Sequence, residues 1–231
     1  MNKLPLVIYT HTDMKDVWPS FFGQLNKFMS DYKIYVCVNK TDDIIPNNCL
    51  QITYDDSKKY TNRILECLDK INEDVILFFH EDMILYANPL HNYLEKYYEY
   101  ILNGSANSIK LLYAGSDGIV SEFEDTLVHN DLSKFSVQPT IIKINTFKNL
   151  IEQHLELSIY EFEGVVKLND KDFSATNGKE KKRGIFHYDS FVFPYIATAI
   201  NKGKWNLTEY QNELNPIFEE YNINPFDRGI W

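Results

Sequence analysis

The sequence predicts an α/β protein built on a mainly parallel sheet flanked by helices, with a less regular second half. Three observations predict it. Short apolar runs rich in β-branched and aromatic residues alternate with segments of helical spacing over the first half of the chain. One run, Val75 to Phe79 (VILFF), is apolar throughout, as a central strand covered on both faces must be. The 231 residues, 44% hydrophobic and 15% aromatic, are enough to bury a packed core.

Each element has its own signal. Leu4 to Tyr9 reads as a buried strand, and Val17 to Met29 carries Trp18, Phe21, Phe22, Leu25 and Phe28 at helical spacing. Lys33 to Val38 and Leu50 to Tyr54 are the next strands. Tyr60 to Ile71 is an amphipathic helix with Ile64, Leu65 and Leu68 on one side. After the VILFF strand, Asn88-Pro89 is expected to cap and open a helix to Leu102, and Ile109 to Tyr113 reads as a further strand. Beyond it, Phe147 to Leu157 reads as a helix. Asn169 to Gly184 reads as a polar, mobile loop, Phe191 to Ile200 as strand or helix, and Thr208 to Tyr221 as a closing helix. There is no internal repeat or linker, so one domain over 1–231 is expected.

Composition excludes several classes. A formal net charge of −10 opposes non-specific nucleic-acid binding, which needs a basic footprint. The dense basic run, Lys179 to Arg183, reads as a solvated loop or as one that holds a diphosphate or an anionic acceptor. Cys37, Cys49 and Cys67 lack metal-ligand spacing and read as reduced thiols. The first strand starts at Leu4 and leaves no room for a signal peptide. No apolar stretch approaches the roughly 20 residues that span a bilayer. A cytoplasmic protein without an integral membrane segment is therefore expected. The sequence has no GxGxxG after the first strand, no Walker-type loop, and no Ser/His/Asp or Cys/His signature.

Open parallel sheets bind ligands beyond the carboxyl ends of their strands. Those ends carry Thr10, His11 and Asp13, then Asn39 and Asp42, then Asp55 and Asp56, then His80, Glu81 and Asp82. The last group is the most informative, because adjacent acids after an apolar strand need a cation or hydrogen bonds to compensate them. Carboxylates suit Mg²⁺ or Mn²⁺, which also bind phosphate oxygens, and a nucleoside diphosphate leaving group needs that neutralisation.

The stretch from Tyr60-Thr61-Asn62-Arg63 to Ile71, with Asp74-Val-Ile-Leu-Phe-Phe-His-Glu-Asp-Met-Ile-Leu-Tyr86, resembles the GT-A-type nucleotide-sugar glycosyltransferases. In particular it is similar to bacterial and viral surface-polysaccharide glycosyltransferase-like proteins. Gln138 to Lys143, Tyr160 to Glu163, Thr198 to Asn206 and Glu220 to Gly229 extend the resemblance over most of the chain. It implies a GT-A-like, Rossmann-like fold, with a nucleotide-sugar-binding half over 1–115 and an acceptor-side half over 116–231. It implies a nucleotide-sugar donor, a saccharide or glycoconjugate acceptor, and Mn²⁺ or Mg²⁺. In the family a DxD motif follows the fourth strand. His80 stands where its first Asp would be, so Asp82 keeps the metal role and Glu81 assists.

The resemblance also distributes further roles. His11, Asp13, Asn39 and Asp42 fall where the fold meets the nucleotide base, and Arg63, Lys202, Lys204 and Arg228 are cations for the diphosphate. His187 stands as a late third metal ligand. Glu163, then Glu161, is the candidate base that deprotonates the acceptor, on the expectation that Tyr160 to Glu163 is extended with both acids facing one side. Two other readings stay open. One is a catalytically silent GT-A-like module that binds a sugar or acts as a scaffold. The other is a metal-dependent phosphodiesterase, which also collects His and Asp at strand ends.

Overall fold

A computed structural model describes residues 3–113, 118–129, 135–167, 170–184 and 187–231. The first half follows the expected alternation. The elements are β1 (Leu6–Tyr9), α1 (Trp18–Met29), β2 (Ile34–Val38), β3 (Cys49–Thr53), α2 (Tyr60–Leu68), β4 (Val75–His80), α3 (His91–Leu102) and β5 (Ser108–Lys110). The second half adds β6 (Leu127–His129), β7 (Thr140–Lys143), α4 (Ile144–Glu152), α5 (Ile159–Val165) and β8 (Asp172–Ala175). Two small hairpins follow, β9 (Lys182–Arg183) with β10 (His187–Tyr188) and β11 (Ile200–Asn201) with β12 (Lys204–Trp205). The helices α6 (Leu207–Glu220) and α7 (Pro225–Arg228) come last.

The architecture is the Rossmann-like α/β arrangement expected, a sheet flanked by helices. One eight-stranded sheet runs β3-β2-β1-β4-β7-β5-β8-β6. It is parallel from β3 to β4, in the 3-2-1-4 order of doubly wound α/β sheets, and mixed beyond, where β7 runs antiparallel to both its neighbours. Strands from both halves of the chain share this sheet. Phe78 and Phe79 show how β4 is covered. Successive side chains leave a strand on opposite faces. Phe78 meets Phe147 of α4 edge-on, while Phe79 meets Phe21 of α1 and Phe193. Withdrawing each ring from water contributes roughly 1.5–3 kcal/mol. Gly23 lets α1 approach the C-terminal region closely, because a Cβ there would strike the Tyr221 ring. Among the described residues no helix is long and apolar enough to cross a membrane. All three cysteines are free and buried.

Four sequence expectations need correction. The helix after β4 starts at His91 rather than at Pro89, with Leu90 as an N-cap that lacks a side-chain bond. Leu90 N–H instead donates to Val192 O at 2.8 Å, which holds the chain extended up to that point. The polar stretch read as a mobile loop contains the buried strand β8, paired between β5 and β6 (Asn169 lies outside the described residues). Its polar character misled because Asp172 is satisfied by the Ser108 hydroxyl at 2.5 Å. Residues 192–199 are neither strand of the sheet nor helix. They run beside the chain after β4, with Tyr86 N–H donating to Pro194 O, Ile196 N–H to Ile84 O and Ala199 N–H to Asp82 O. Tyr160 to Glu163 is not extended but lies in α5.

Candidate functional site

The acid motif stands where β4 leaves the sheet. His80 is the last residue of β4, paired in register with Tyr9 of β1. Its ring is enclosed by Tyr9, Tyr60 and Phe78, and it shares a 2.9 Å hydrogen bond with the Tyr60 hydroxyl. Burial lowers the imidazole to about 3, so the ring is neutral near pH 7. Glu81 is buried, and burial first, then the Asp82 charge, pushes its carboxyl well above the ordinary range. The Arg228 charge and the Thr10 hydroxyl act in the opposite direction. Burial raises the half-buried Asp82 to about 7. Two adjacent desolvated carboxyls, with the Arg228 charge acting on Glu81, are what the sheet sets at this edge.

One flank is built from the ends of β1, β2 and β3. Thr10 is fully buried: its hydroxyl accepts from the Trp18 indole at 2.7 Å and its carbonyl from Tyr54 O–H at 2.8 Å. It therefore clamps the core beneath the site rather than lining an open donor surface. His11 caps a short 3-10 turn, Thr12–Met14. Its Nδ1 accepts from Asp13 N–H at 3.1 Å, so Nε2 carries the proton that faces Asp56 at 3.1 Å. Asn39 binds the same turn, accepting from Thr12 N–H and donating to the Thr12 hydroxyl, both at 2.9 Å. The Asp13 side chain is exposed. Asp42 is taken up by Lys15 and by Ile44 N–H at 3.1 Å, which gives it a turn-holding role. Arg63 is paired with Asp56 at 2.9 Å, donates to Lys58 O at 2.7 Å and lies over the Tyr54 ring.

The C-terminal region closes this flank. Arg228 of α7 pairs with Asp16 and donates to Asp13 O at 3.2 Å and Gly203 O at 3.4 Å. This brings the β11–β12 hairpin, with exposed Lys202 and Lys204, to the turn after β1. The Ala199 bond to Asp82 O ties the same hairpin to the acid motif. The Arg228 charge thus reaches Glu81, and the hairpin that carries Lys202 and Lys204 is anchored to the acid motif, although all three are far from it in sequence.

His187 is placed differently from its expected role. Its Nδ1 meets Glu209 at 2.5 Å and its Nε2 the Thr198 hydroxyl at 3.3 Å, so both ring nitrogens are engaged. Glu209 is held there by α6, whose N-cap Asn206 accepts from Glu209 N–H. Among the described residues no three His, Cys, Asp or Glu side chains stand together as a ready metal set. Asp82, Glu81 and His187 are therefore not assembled as a triad. Arg183 from the basic run is likewise engaged, by Asp189 at 2.9 Å and Glu213 at 2.5 Å.

The other flank lies past His80, on α5 and β5. Glu161 completes a capping box with Ser158, accepting from its N–H at 2.8 Å and its hydroxyl at 2.7 Å. The Ser158 hydroxyl and N–H lower its pKa, and this exposed acid is spent on the helix end. Glu163 is half-buried, and Oε1 accepts from Val137 N–H at 2.5 Å. Burial raises its pKa, against that bond and the Lys110 charge. Burial first, then Tyr9, and after it the Glu163 and Glu81 charges push the Tyr60 phenol upward. Tyr60 thus stands between the acid motif and Glu163.

Sequence reasoning missed Tyr9, Tyr54, Tyr60 and Lys110. The strand-end rule could have found Lys110, but the expected strand ran to Tyr113, whereas β5 ends at Lys110 and places that residue on the rim.

No family model matches the chain, and no curated protein matches it. Solved structures of similar shape include the bifunctional IspDF from Campylobacter jejuni, at 16% identity and a TM-score of 0.49, covering 83% of this chain and 52% of that one. Another is S. aureus TarS 1-349 in complex with UDP-GlcNAc, at 15% identity and a TM-score of 0.49, covering 80% and 60%. A third is a nucleotidyl transferase from Methanothermobacter thermautotroptrophicus, at 8% identity and a TM-score of 0.48, covering 78% and 89%. The chain spans between half and two thirds of the length of the first two. At these scores the likeness is one of shape and carries no assignment of activity.

Proposed function

We propose that this chain is a glycosyltransferase that moves a sugar from a nucleoside-diphosphate donor to a saccharide or glycoconjugate acceptor, in the synthesis of a surface polysaccharide or related glycan. The observation that carries the reading is the pair of desolvated acids, Glu81 and Asp82, at the end of β4, with the Arg228 charge reaching Glu81 and the hairpin that carries Lys202 and Lys204 tied to Asp82 through Ala199. Buried carboxylates close to cations suit a ligand that brings both a divalent ion and phosphate oxygens. The donor chemistry of Glu81 and Asp82 fits Mn²⁺ or Mg²⁺, with waters and donor phosphates taking the positions that protein groups do not. When bound, such an ion supplies positive charge against which the diphosphate leaves.

The remaining roles follow from position. Arg228, Lys202 and Lys204 hold the diphosphate, and His11, Asp13 and Asn39 face the nucleoside. His80, neutral and fixed by Tyr60, orients the end of β4. Glu163 takes the proton from the attacking acceptor hydroxyl, since its raised pKa makes it a better acceptor than an exposed carboxylate. In this reading the ends of β1, β2 and β4 serve the nucleoside and the metal, the C-terminal cations serve the diphosphate, and Glu163 serves the acceptor.

Thermal-shift screening against UDP-, GDP- and dTDP-sugars, with and without Mn²⁺ and with a CMP-sugar as the monophosphate comparison, tests the proposal. Stabilisation by one nucleotide sugar that disappears in Asp82→Ala is expected. No shift with any of them, together with hydrolysis of a model phosphodiester, would overturn it in favour of the hydrolase. The ring of His187, engaged at both nitrogens by Glu209 and Thr198, favours a second reading, a silent sugar-binding module. Donor binding with neither transfer nor donor hydrolysis would establish that one.

A further inference from the structure

Lys110 is a buried cation with little to bind. It is 8% exposed, at the last position of β5. Its side-chain bond is to the Ser136 hydroxyl, at the long distance of 3.5 Å, and among the described residues no carboxylate lies within ion-pair distance. Glu163 is near enough for its charge to favour the ammonium, yet its own Oε1 is turned to Val137 N–H. A lysine left this poorly compensated in an interior is costly unless something else completes it.

The sheet register says which part of the site it serves. Phe78, Thr140 and Lys110 are cross-strand partners over β4, β7 and β5, so their side chains share one face. His80, two residues after Phe78, points to that face as well. Lys110 therefore lies two strand spacings from β4, about 10 Å along the rim. Arg228 bonds the turn after β1 and the tip of the hairpin that carries Lys202 and Lys204, on the far side of the acid motif. The diphosphate has its cations there, and Lys110 stands instead with Glu163 on the acceptor side.

We propose that Lys110 binds an anionic group, a carboxylate or a phosphate, carried by the acceptor next to the hydroxyl that Glu163 deprotonates. The claim that this group belongs to the acceptor rests on the transferase reading above; the anion site itself rests on geometry. Ser136 and Lys110 donate to the anion, and the Glu163 carboxylate disfavours one placed too close to itself. The chain then selects acidic over neutral saccharides.

The test uses the full chain and two probes, glucuronate for the carboxylate and glycerol 3-phosphate for the phosphate, with glucose and glycerol as neutral counterparts. Affinities are measured by calorimetry or NMR titration for the wild type, Lys110→Met, Lys110→Arg and the distant control Lys3→Met. Nucleotide-sugar binding is measured in parallel. One anionic probe is expected to bind more tightly than its neutral counterpart. Lys110→Met should lose roughly 10- to 100-fold, the scale of a charge-assisted bond, while Lys110→Arg and Lys3→Met stay within a few-fold and donor affinity is unchanged. Equal anion affinity in Lys110→Met and wild type, or no binding of either anion by the wild type, overturns the proposal. Lys110-dependent anion binding without binding of any nucleotide sugar overturns the transferase reading and leaves the anion site standing.

Discussion

The Tyr60 hydroxyl meets His80 Nε2 at 2.9 Å, which fastens the first residue of α2 to the last residue of β4. Because burial keeps the imidazole neutral, the contact is a hydrogen bond between uncharged groups in a desolvated setting. Tyr60→Phe keeps the ring against Tyr9 and removes only the hydroxyl. Urea denaturation should show a loss of about 1 kcal/mol, since a buried ring nitrogen is left without its partner. An unchanged midpoint would mean that water replaces the phenol.

Glu161 and Glu163 are separated by their surroundings. Glu161 is exposed and serves the Ser158 capping box, whereas Glu163 faces inward beside Lys110 and Tyr60. Glu163→Gln should lower kcat at least 100-fold, the usual scale of a general base, with donor affinity nearly unchanged. Glu161→Gln should leave kcat within a few-fold. Steady-state kinetics on both variants decide between them, and the reverse pattern would move the base to Glu161.

Arg183 sits between Asp189 and Glu213 with side-chain exposures of 11%, 20% and 13%. Removing the guanidinium leaves two poorly solvated carboxylates. Arg183→Met should therefore cost roughly 3 kcal/mol in a denaturation experiment. If the basic run held the donor diphosphate, the same variant would also weaken nucleotide-sugar binding. The ion pairs predict no such change.

Burial lowers Lys110 to about 8, with the Glu163 charge acting against that shift. In the unfolded chain a lysine titrates near 10.4. Between these values the unfolded state binds more protons, so stability rises as pH goes from about 8 to about 10.4. Below that window both states are protonated and the burial penalty is felt in full. Lys110→Met should thus melt higher than wild type at pH 7, and the difference should shrink as pH rises through the window. Tyrosine titration cancels in the comparison. Parallel Tm curves would show that the ammonium is solvated.

The sequence alone determined the elements whose signals are local. Apolar runs and helical spacing placed β1 to β4, α1, α2 and α6 within a few residues, because side-chain periodicity is written in adjacent positions. The same rule singled out His80-Glu81-Asp82, since a polar break after a buried run is visible in one dimension. The tertiary structure alone decided what those acids face. Arg228 from α7 and the hairpin that carries Lys202 and Lys204, distant in sequence, come to this edge because the chain after β4 is zipped to residues 192–199 and Arg228 bonds the turn after β1. It also decided that β8 is a buried strand, because its polar residues find their partners across the sheet. His187 is taken by Glu209, and Lys110 meets only the Ser136 hydroxyl among the described residues, for the same reason. Hydrogen bonding and desolvation depend on which groups meet in space, and no spacing along the chain records that.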